Sequence, residues 1–251
     1  MVNETTPRIL AIIPARFASS RFPGKPLVLI QGESMISRVV KQVSQSKMLS
    51  RVLVATDDQR IFDHVEQIGS QVVMTRGDHP SGTDRCAEVA AKFPEYDVII
   101  NVQGDEPFIQ PQQIDLLAQT LLVKPESQIA TLAKKITEHT DLFNPNIVKV
   151  VANRVGRAIY FSRHPIPFLR GQEQANWLEH HDFYKHIGLY GFRRATLLEL
   201  AALQPTPLEK AESLEQLRWL EHGYPIEVGI TELETIGVDM PEDLYRVGGL
   251  G

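Results

Sequence analysis

The chain has 251 residues, is 43% hydrophobic and 23% charged, and carries a formal net charge of −5, which suits one large α/β domain, the preferred reading, or two small ones, and gives no general basic surface for nucleic acid. A single cysteine, Cys86, excludes an intrachain disulfide and fits a reducing cytoplasm. No apolar run is long enough to span a bilayer and the opening MVNETTPR lacks a hydrophobic signal core, so a soluble, unexported protein without membrane contact is expected.

The run ILAII predicts a strand over Ile9–Ile13. It delivers a loop, PARFASSRFPGKPL, in which Arg16, Arg21 and Lys25 stand among the small residues Ala18, Ser19, Ser20 and Gly24. Small residues let backbone amides approach anionic oxygens, and three cations match a nucleotide's triphosphate. The plain alternative is a solvated basic loop. Neither a Walker Gly-Lys-Ser/Thr nor the dinucleotide glycine fingerprint is present. Further strands are expected at Val52–Thr56, Gln71–Met74 and Val98–Val102. They alternate with amphipathic helical patterns at Met35–Gln45, Asp58–Ile68, Asp84–Lys92 and Pro111–Leu122. Repeated strand-then-helix units argue for a Rossmann-like α/β sheet, mostly parallel and covered on both faces.

The middle of the chain changes character. Ile129–Ile136, Val148–Ala152, Ala158–Phe161 and Ile187–Phe192 read as strands without comparable helices between them, which predicts a mixed or antiparallel lobe at about 129–193 inserted in a single domain, 1–251. Within it, His164–Lys185 reads as a long loop of the kind that serves as a lid or interface. Helical patterns follow at Ala195–Leu203 and Leu208–His222, then a strand at Ile226–Ile230 and a last helix at Pro241–Val247. The ending VGGLG is expected to fray.

Several residues suit chemistry and also have plain structural readings. Asp105 follows the apolar strand DVIINV, where a carboxylate faces the ligand crevice of a parallel sheet and suits magnesium, or else simply occupies a turn. Asp239, before Met240-Pro241, equally suits a helix start. Asp57 and Asp58 are read mainly as helix caps, and Ser81-Gly82-Thr83-Asp84-Arg85 as another helix start. On a continuous helix, Glu212, Glu215 and Gln216 share one face. His186 before a strand is more often structural than functional, and His180-His181 is a polar loop pair. Metalloprotease, zinc and GxSxG hydrolase patterns are absent, and Cys86 falls inside a helical stretch.

The loop IPARFASSRFPGKPL, with SGTDR at Ser81–Arg85, NVQGDEP at Asn101–Pro107, YFSR at Tyr160–Arg163, HIGLYGF at His186–Phe192, and ESLEQLRWLEHG followed by GVDMPEDL, resembles the 3-deoxy-manno-octulosonate (Kdo) cytidylyltransferase family over nearly the whole chain. That resemblance implies a nucleotidyltransferase fold and transfer of a cytidylyl group from CTP to Kdo, on the path to lipopolysaccharide. It implies nucleotide contacts from Ala15, Arg16, Ser20, Arg21, Lys25, Ser81, Gly82 and Arg85, with Arg76 a weaker candidate. Magnesium would be held by Asp105 and Asp239. Sugar contacts would come from Arg163, His186, Tyr190, Glu215 and Gln216, with Gln103 a further candidate. The catalytic set would be Arg16, Lys25, Asp105 and Asp239, and the assembly a homodimer. Met240 stands where the family commonly has Thr. A CMP-sialic acid synthetase is the nearest rival, but its loop usually reads Gly-Gly-Ser-Lys. A nucleotide-sugar glycosyltransferase would be expected to carry Asp-x-Asp, and retained Lys25, Asp105 and Asp239 argue against a non-catalytic nucleotide-sensing module.

Overall fold

The computed structural model describes residues 7–18, 22–235, 237–238 and 240–246. By contact the chain forms two compact units. The first comprises Met1–Asp115, Gly191–Ala201 and Thr235–Gly251, and the second Leu116–Tyr190 and Ala202–Glu234. The second unit thus takes in 202–234 besides most of the lobe read from sequence.

In the first unit, β1 (Ile9–Ala15) buries every residue except the half-buried Pro14, which requires cover on both faces of the sheet. A short hairpin follows, β2 (Leu29–Ile30) and β3 (Glu33–Ser34), turning through Gln31 at φ 51 and Gly32 at φ 78. The two-residue turn with positive φ is the type whose twist matches a hairpin, and its Gln-Gly pair is a weaker signal than Asn-Gly. Then come β4 (Arg51–Thr56), β5 (Val72–Met74) and β6 (Val98–Asn101). Their order is β6-β1-β4-β5 and each pairing is parallel. The helices are α1 (Met35–Val43), packed on β1 and β4, α2 (Gln59–Gln67), packed on β4 and β5, and α3 (Gly82–Lys92), packed on β1, β4 and β6. Parallel pairing puts the loops after β1, β4 and β6 at one carboxyl edge, where ligands of such sheets bind.

α4 (Pro111–Leu122) has the bounds read from sequence. In the second unit, β7 (Ile129–Lys135) is followed by α5 (His139–Phe143), a helix absent from the sequence reading. β8 (Lys149–Ala152) pairs antiparallel with β9 (Ala158–Ser162) and with β10 (Tyr184–Arg193). The segment 164–185 is not a bare loop. It contains a 3-10 turn, Gln174–Asn176, and α6 (Trp177–His180), and Trp177, 1% exposed, stacks on Phe183 with centroids 5.9 Å apart and meets Phe143 at 5.8 Å. Burial of that indole against Ile136 and Leu142 fixes the segment.

α7 (Arg194–Leu200) lies in the first unit. The helix expected over 208–222 is broken into α8 (Pro207–Glu212) and α9 (Gln216–Glu221) by Ser213, left-handed at φ 53. Glu212, Glu215 and Gln216 therefore share no continuous helix face. β11 (Ile226–Ile230) runs parallel to β7, which lies between β11 and β10. α10 (Asp243–Arg246) opens two residues later than expected, and VGGLG lies outside the described residues.

Candidate active site

β1 ends at buried Ala15 and presents Arg16, which is exposed. Gly24, at φ 71, donates its N–H to the Phe17 carbonyl at 2.9 Å, and a Cβ there would lie 3.1 Å from the Phe17 ring. Glycine thus lets the loop fold back on Phe17 and lead directly into the 3-10 turn Lys25–Leu27. The Phe17 ring lies 3.3 Å from the guanidinium carbon of Arg60, which Asp58 fixes through bonds of 2.9 and 2.6 Å. Asp58 also caps α2, accepting from the Arg60 amide at 3.0 Å. Asp57, read as a second cap, instead lies 3.4 Å from the Arg85 guanidinium. Ser20 and Arg21 lie outside the described residues.

Beyond β6, Gly104 passes so close to β1 that a Cβ would sit 2.8 Å from the Pro14 carbonyl oxygen. The next residue meets the loop that follows β1: Lys25 Nζ donates to Asp105 Oδ2 at 2.6 Å, with the side chains 13% and 28% exposed. The Asp105 carbonyl accepts from the Val238 N–H at 2.9 Å, which ties the stretch preceding Asp239 to it. Asp239 itself lies outside the described residues. A partly open carboxylate already pairing with a cation fits magnesium, which keeps water and phosphate ligands and needs few from protein. Among the described residues no group of three or more His, Cys, Asp or Glu is set to hold a metal.

Arg16, Lys25, Gln103 and Asp105 share a pocket of about 190 Å³ with Ser81, Gly82 and Arg85. Ser81 lines this pocket and also caps α3, accepting from the Asp84 amide at 3.1 Å and donating to the Asp84 carboxylate at 2.6 Å. Arg85 is buried, bonded to the Thr75 hydroxyl and, at 3.3 Å, to the Arg76 carbonyl, so it braces the backbone beside the pocket. Arg76 does not line it; its side chain is 69% exposed and 3.4 Å from Asp78. His79, two residues before Ser81, does line the pocket and was not singled out from sequence. Its proximity to SGTDR was the one signal.

The sugar-side candidates other than Gln103 lie in the second unit. His186 keeps some accessible surface, yet Phe161 and Tyr190 both stand 5.2 Å from its ring, and loss of water pushes its pKa down to about 3. It is therefore neutral and supplies no cation to an acid. The Thr131 hydroxyl, facing the Leu189 and Ile187 carbonyls at 2.9 and 3.2 Å, gives its hydrogen to them and accepts from His186 Nε2 at 2.9 Å. Nδ1 is then the acceptor. Burial, with the charge of Glu215, pushes the Tyr190 phenol well above its usual range, and Trp219 of α9 meets the Tyr190 ring at 5.0 Å. His186, Tyr190 and Glu215 are thus neighbours, and Gln216 is buried at the start of α9. Arg163 has a different occupation: its guanidinium donates to the carbonyls of Glu212 at 2.7 Å, Pro145 at 3.1 Å and Ser213 at 3.3 Å. Beside it, Lys149 is fully buried, bonded to the Ile147 and Asn144 carbonyls at 2.6 and 2.9 Å, with its pKa pushed down to about 8 by burial. Nothing in its strand pattern marked that lysine.

A family profile described as Cytidylyltransferase matches residues 10–233. A 3-deoxy-manno-octulosonate cytidylyltransferase from Cytophaga hutchinsonii is 55% identical over 241 residues, covering 95% of this chain and 96% of the relative. The chain belongs to the 3-deoxy-manno-octulosonate cytidylyltransferase family. The same-named protein of Parabacteroides distasonis is 54% identical over 244 residues, covering 95% of this chain and 96% of its own. A solved CMP:2-keto-3-deoxy-manno-octonic acid synthetase, complexed with CTP, is similar at a TM-score of 0.90 and 41% identity, over 97% of this chain and 98% of that one. The family's α/β nucleotidyltransferase fold accounts for the parallel strands that carry the pocket.

Proposed function

We infer that this chain transfers the cytidylyl group of CTP to Kdo, giving CMP-Kdo and pyrophosphate for lipopolysaccharide biosynthesis. The observation that carries this reading is the pocket joining Arg16, Lys25 and Asp105 at the carboxyl edge of parallel strands, in a chain similar over 97% of its length to a synthetase solved with CTP. Arg16, Arg21 and Lys25 hold the triphosphate, and Ala15, Ser20, Ser81 and Gly82 approach the nucleotide. Arg85 braces the backbone. The anomeric hydroxyl oxygen of Kdo bonds to the α-phosphorus, its proton passing to solvent, as the bond to the bridging oxygen of the β-phosphate breaks and pyrophosphate departs. Lys25 turns from Asp105 to the α-phosphate oxygens, where negative charge would otherwise repel the nucleophile. Asp105 and Asp239 would hold magnesium, which supplies further charge neutralisation there. Gln103, Tyr190, Glu215 and Gln216 bind the sugar, Arg163 stands beside its acid group, and the Nδ1 lone pair of His186 accepts from a sugar hydroxyl. Transfer is direct, since Cys86 is buried in α3, Ser34 with its partner His64 does not line the pocket, and the Ser81 hydroxyl is engaged in capping α3.

The reading includes a cytoplasmic homodimer formed through the antiparallel segment. In support, β9 pairs only with β8 among the described strands, and Ile159 within it and Val155 before it are 60% and 62% exposed. No helix among the described residues is long and apolar enough to cross a membrane. A pyrophosphate-release assay crossing CTP and UTP with Kdo, its 8-amino analogue and sialic acid tests the function. Release only with CTP and Kdo or its analogue is expected, and turnover of sialic acid in their place would overturn it.

A further inference from the structure

We propose that His79 is a specificity-determining residue whose Nδ1 lone pair accepts a hydrogen bond from the exocyclic amine of cytosine, selecting CTP over UTP. The proposal rests on the reading that this pocket holds a nucleoside triphosphate. Position is the first argument. Pro14 separates Gly104, whose Cβ would press on its carbonyl oxygen, from Gly82, whose Cβ would lie 3.2 Å from its ring. Asp105 and its partner Lys25 lie on the Gly104 side, whereas Ser81 and His79 lead into Gly82. A nucleotide whose phosphates meet Lys25 and Arg16 therefore lays its base toward His79.

Hydrogen-bond direction is the second argument. The His79 side chain is 4% exposed, and its Nε2 lies 2.5 Å from Glu88 Oε2. That carboxylate also accepts from the Arg76 amide at 3.0 Å and from Lys92 Nζ at 2.6 Å. Burial pushes the Glu88 pKa up, but the bonds from Lys92, the Arg76 amide and His79 outweigh it and bring it to about 2. An ionised carboxylate only accepts, so Nε2 carries the hydrogen. Lys92 also pairs with that carboxylate, and Arg16, Lys25 and Arg85 line the same pocket. Nδ1 is left as a lone pair, with no partner among the described residues. Cytosine offers an amine where uracil offers a carbonyl oxygen. The first pairs with a lone pair and the second is repelled by it, leaving buried groups unsatisfied.

The full chain is tested as wild type, His79→Ala, His79→Asn and Glu88→Gln, with CTP and UTP each measured by kcat/KM with Kdo and by calorimetric binding without sugar. His79→Ala should lower the CTP-to-UTP preference at least tenfold. His79→Asn, whose amide oxygen reaches the Nδ1 position, should keep most of it. Glu88→Gln, which lets the ring exchange its donor and acceptor nitrogens, should lower it with His79 still present, and this holds the test if the alanine variant does not fold. A preference unchanged within twofold in His79→Ala or in Glu88→Gln overturns the proposal while the wild type remains a CTP enzyme. Wild-type protein that neither binds nor uses CTP overturns the nucleotide reading itself, and the proposal with it.

Discussion

Gly104→Ala joins stability and activity in one atom. Its Cβ would lie 2.8 Å from the Pro14 carbonyl oxygen, about 0.6 Å short of ordinary contact, and the obstacle is backbone rather than a flexible side chain. Neither segment yields easily. Pro14 lies in β1, paired through its register with Ala55, and the turn after Gly104 is held by the Val238 N–H on the Asp105 carbonyl. Overpacking of this kind costs about 1–3 kcal/mol. Relief by shifting the turn also moves Asp105 against Lys25, a pair now 2.6 Å apart, and displacements of this size at reacting groups cost tenfold or more in rate. Urea unfolding followed by circular dichroism should show the loss of stability, and pyrophosphate release a fall in kcat/KM of at least tenfold. Gly69→Ala is the control. Its φ of 73 imposes strain of about 1 kcal/mol, but a Cβ there meets nothing within 4 Å, so activity should hold. Wild-type stability and rate in Gly104→Ala would refute the close-approach argument.

Asp105→Asn and Asp239→Asn should each cut kcat at least a hundredfold, and in Asp105→Asn the urea midpoint should stay nearly fixed because a partly exposed pair contributes under about 1 kcal/mol; near-wild-type rates would remove that residue from the metal site. Arg163→Ala should raise KM for Kdo and also cost about 1–3 kcal/mol, since three carbonyls lose their donor; an unchanged unfolding midpoint would show that the clamp adds nothing. For His186 the folded pKa of about 3 lies below the ordinary histidine value of 6.5, so between those values the unfolded chain binds a proton the native state does not. Its contribution is complete above pH 6.5 and is lost as pH falls toward 3, by up to about 1.4 kcal/mol per pH unit. His186→Asn should flatten stability against pH across pH 4.5–6.5, and curves parallel to wild type would contradict a dehydrated, neutral ring.

The sequence by itself determined what short-range chemistry decides. The unbroken apolar run of β1 could only be a strand buried on both faces, Pro111 opened α4 at the expected residue, and the Asp58 and Ser81 caps announced α2 and α3 because a side-chain oxygen satisfies amides two or three residues away. Arg16 and Lys25, legible as cations among small residues after β1, come to line one pocket with Asp105. Tertiary structure alone decided the rest. The 208–222 pattern is helical throughout, yet Glu212 accepts from the Ser162 hydroxyl at 2.7 Å and the Arg163 amide at 2.9 Å, and the chain breaks after it at Ser213. No spacing rule foresees bonds across some fifty residues. Trp177 turned an expected loop into an anchored segment, Lys149 lost its water inside a strand, and Glu88, nine residues beyond His79, took up the Nε2 side of its ring. Polarity along a chain records what a residue can bond to, while burial and the partner it finds are fixed only when distant segments pack.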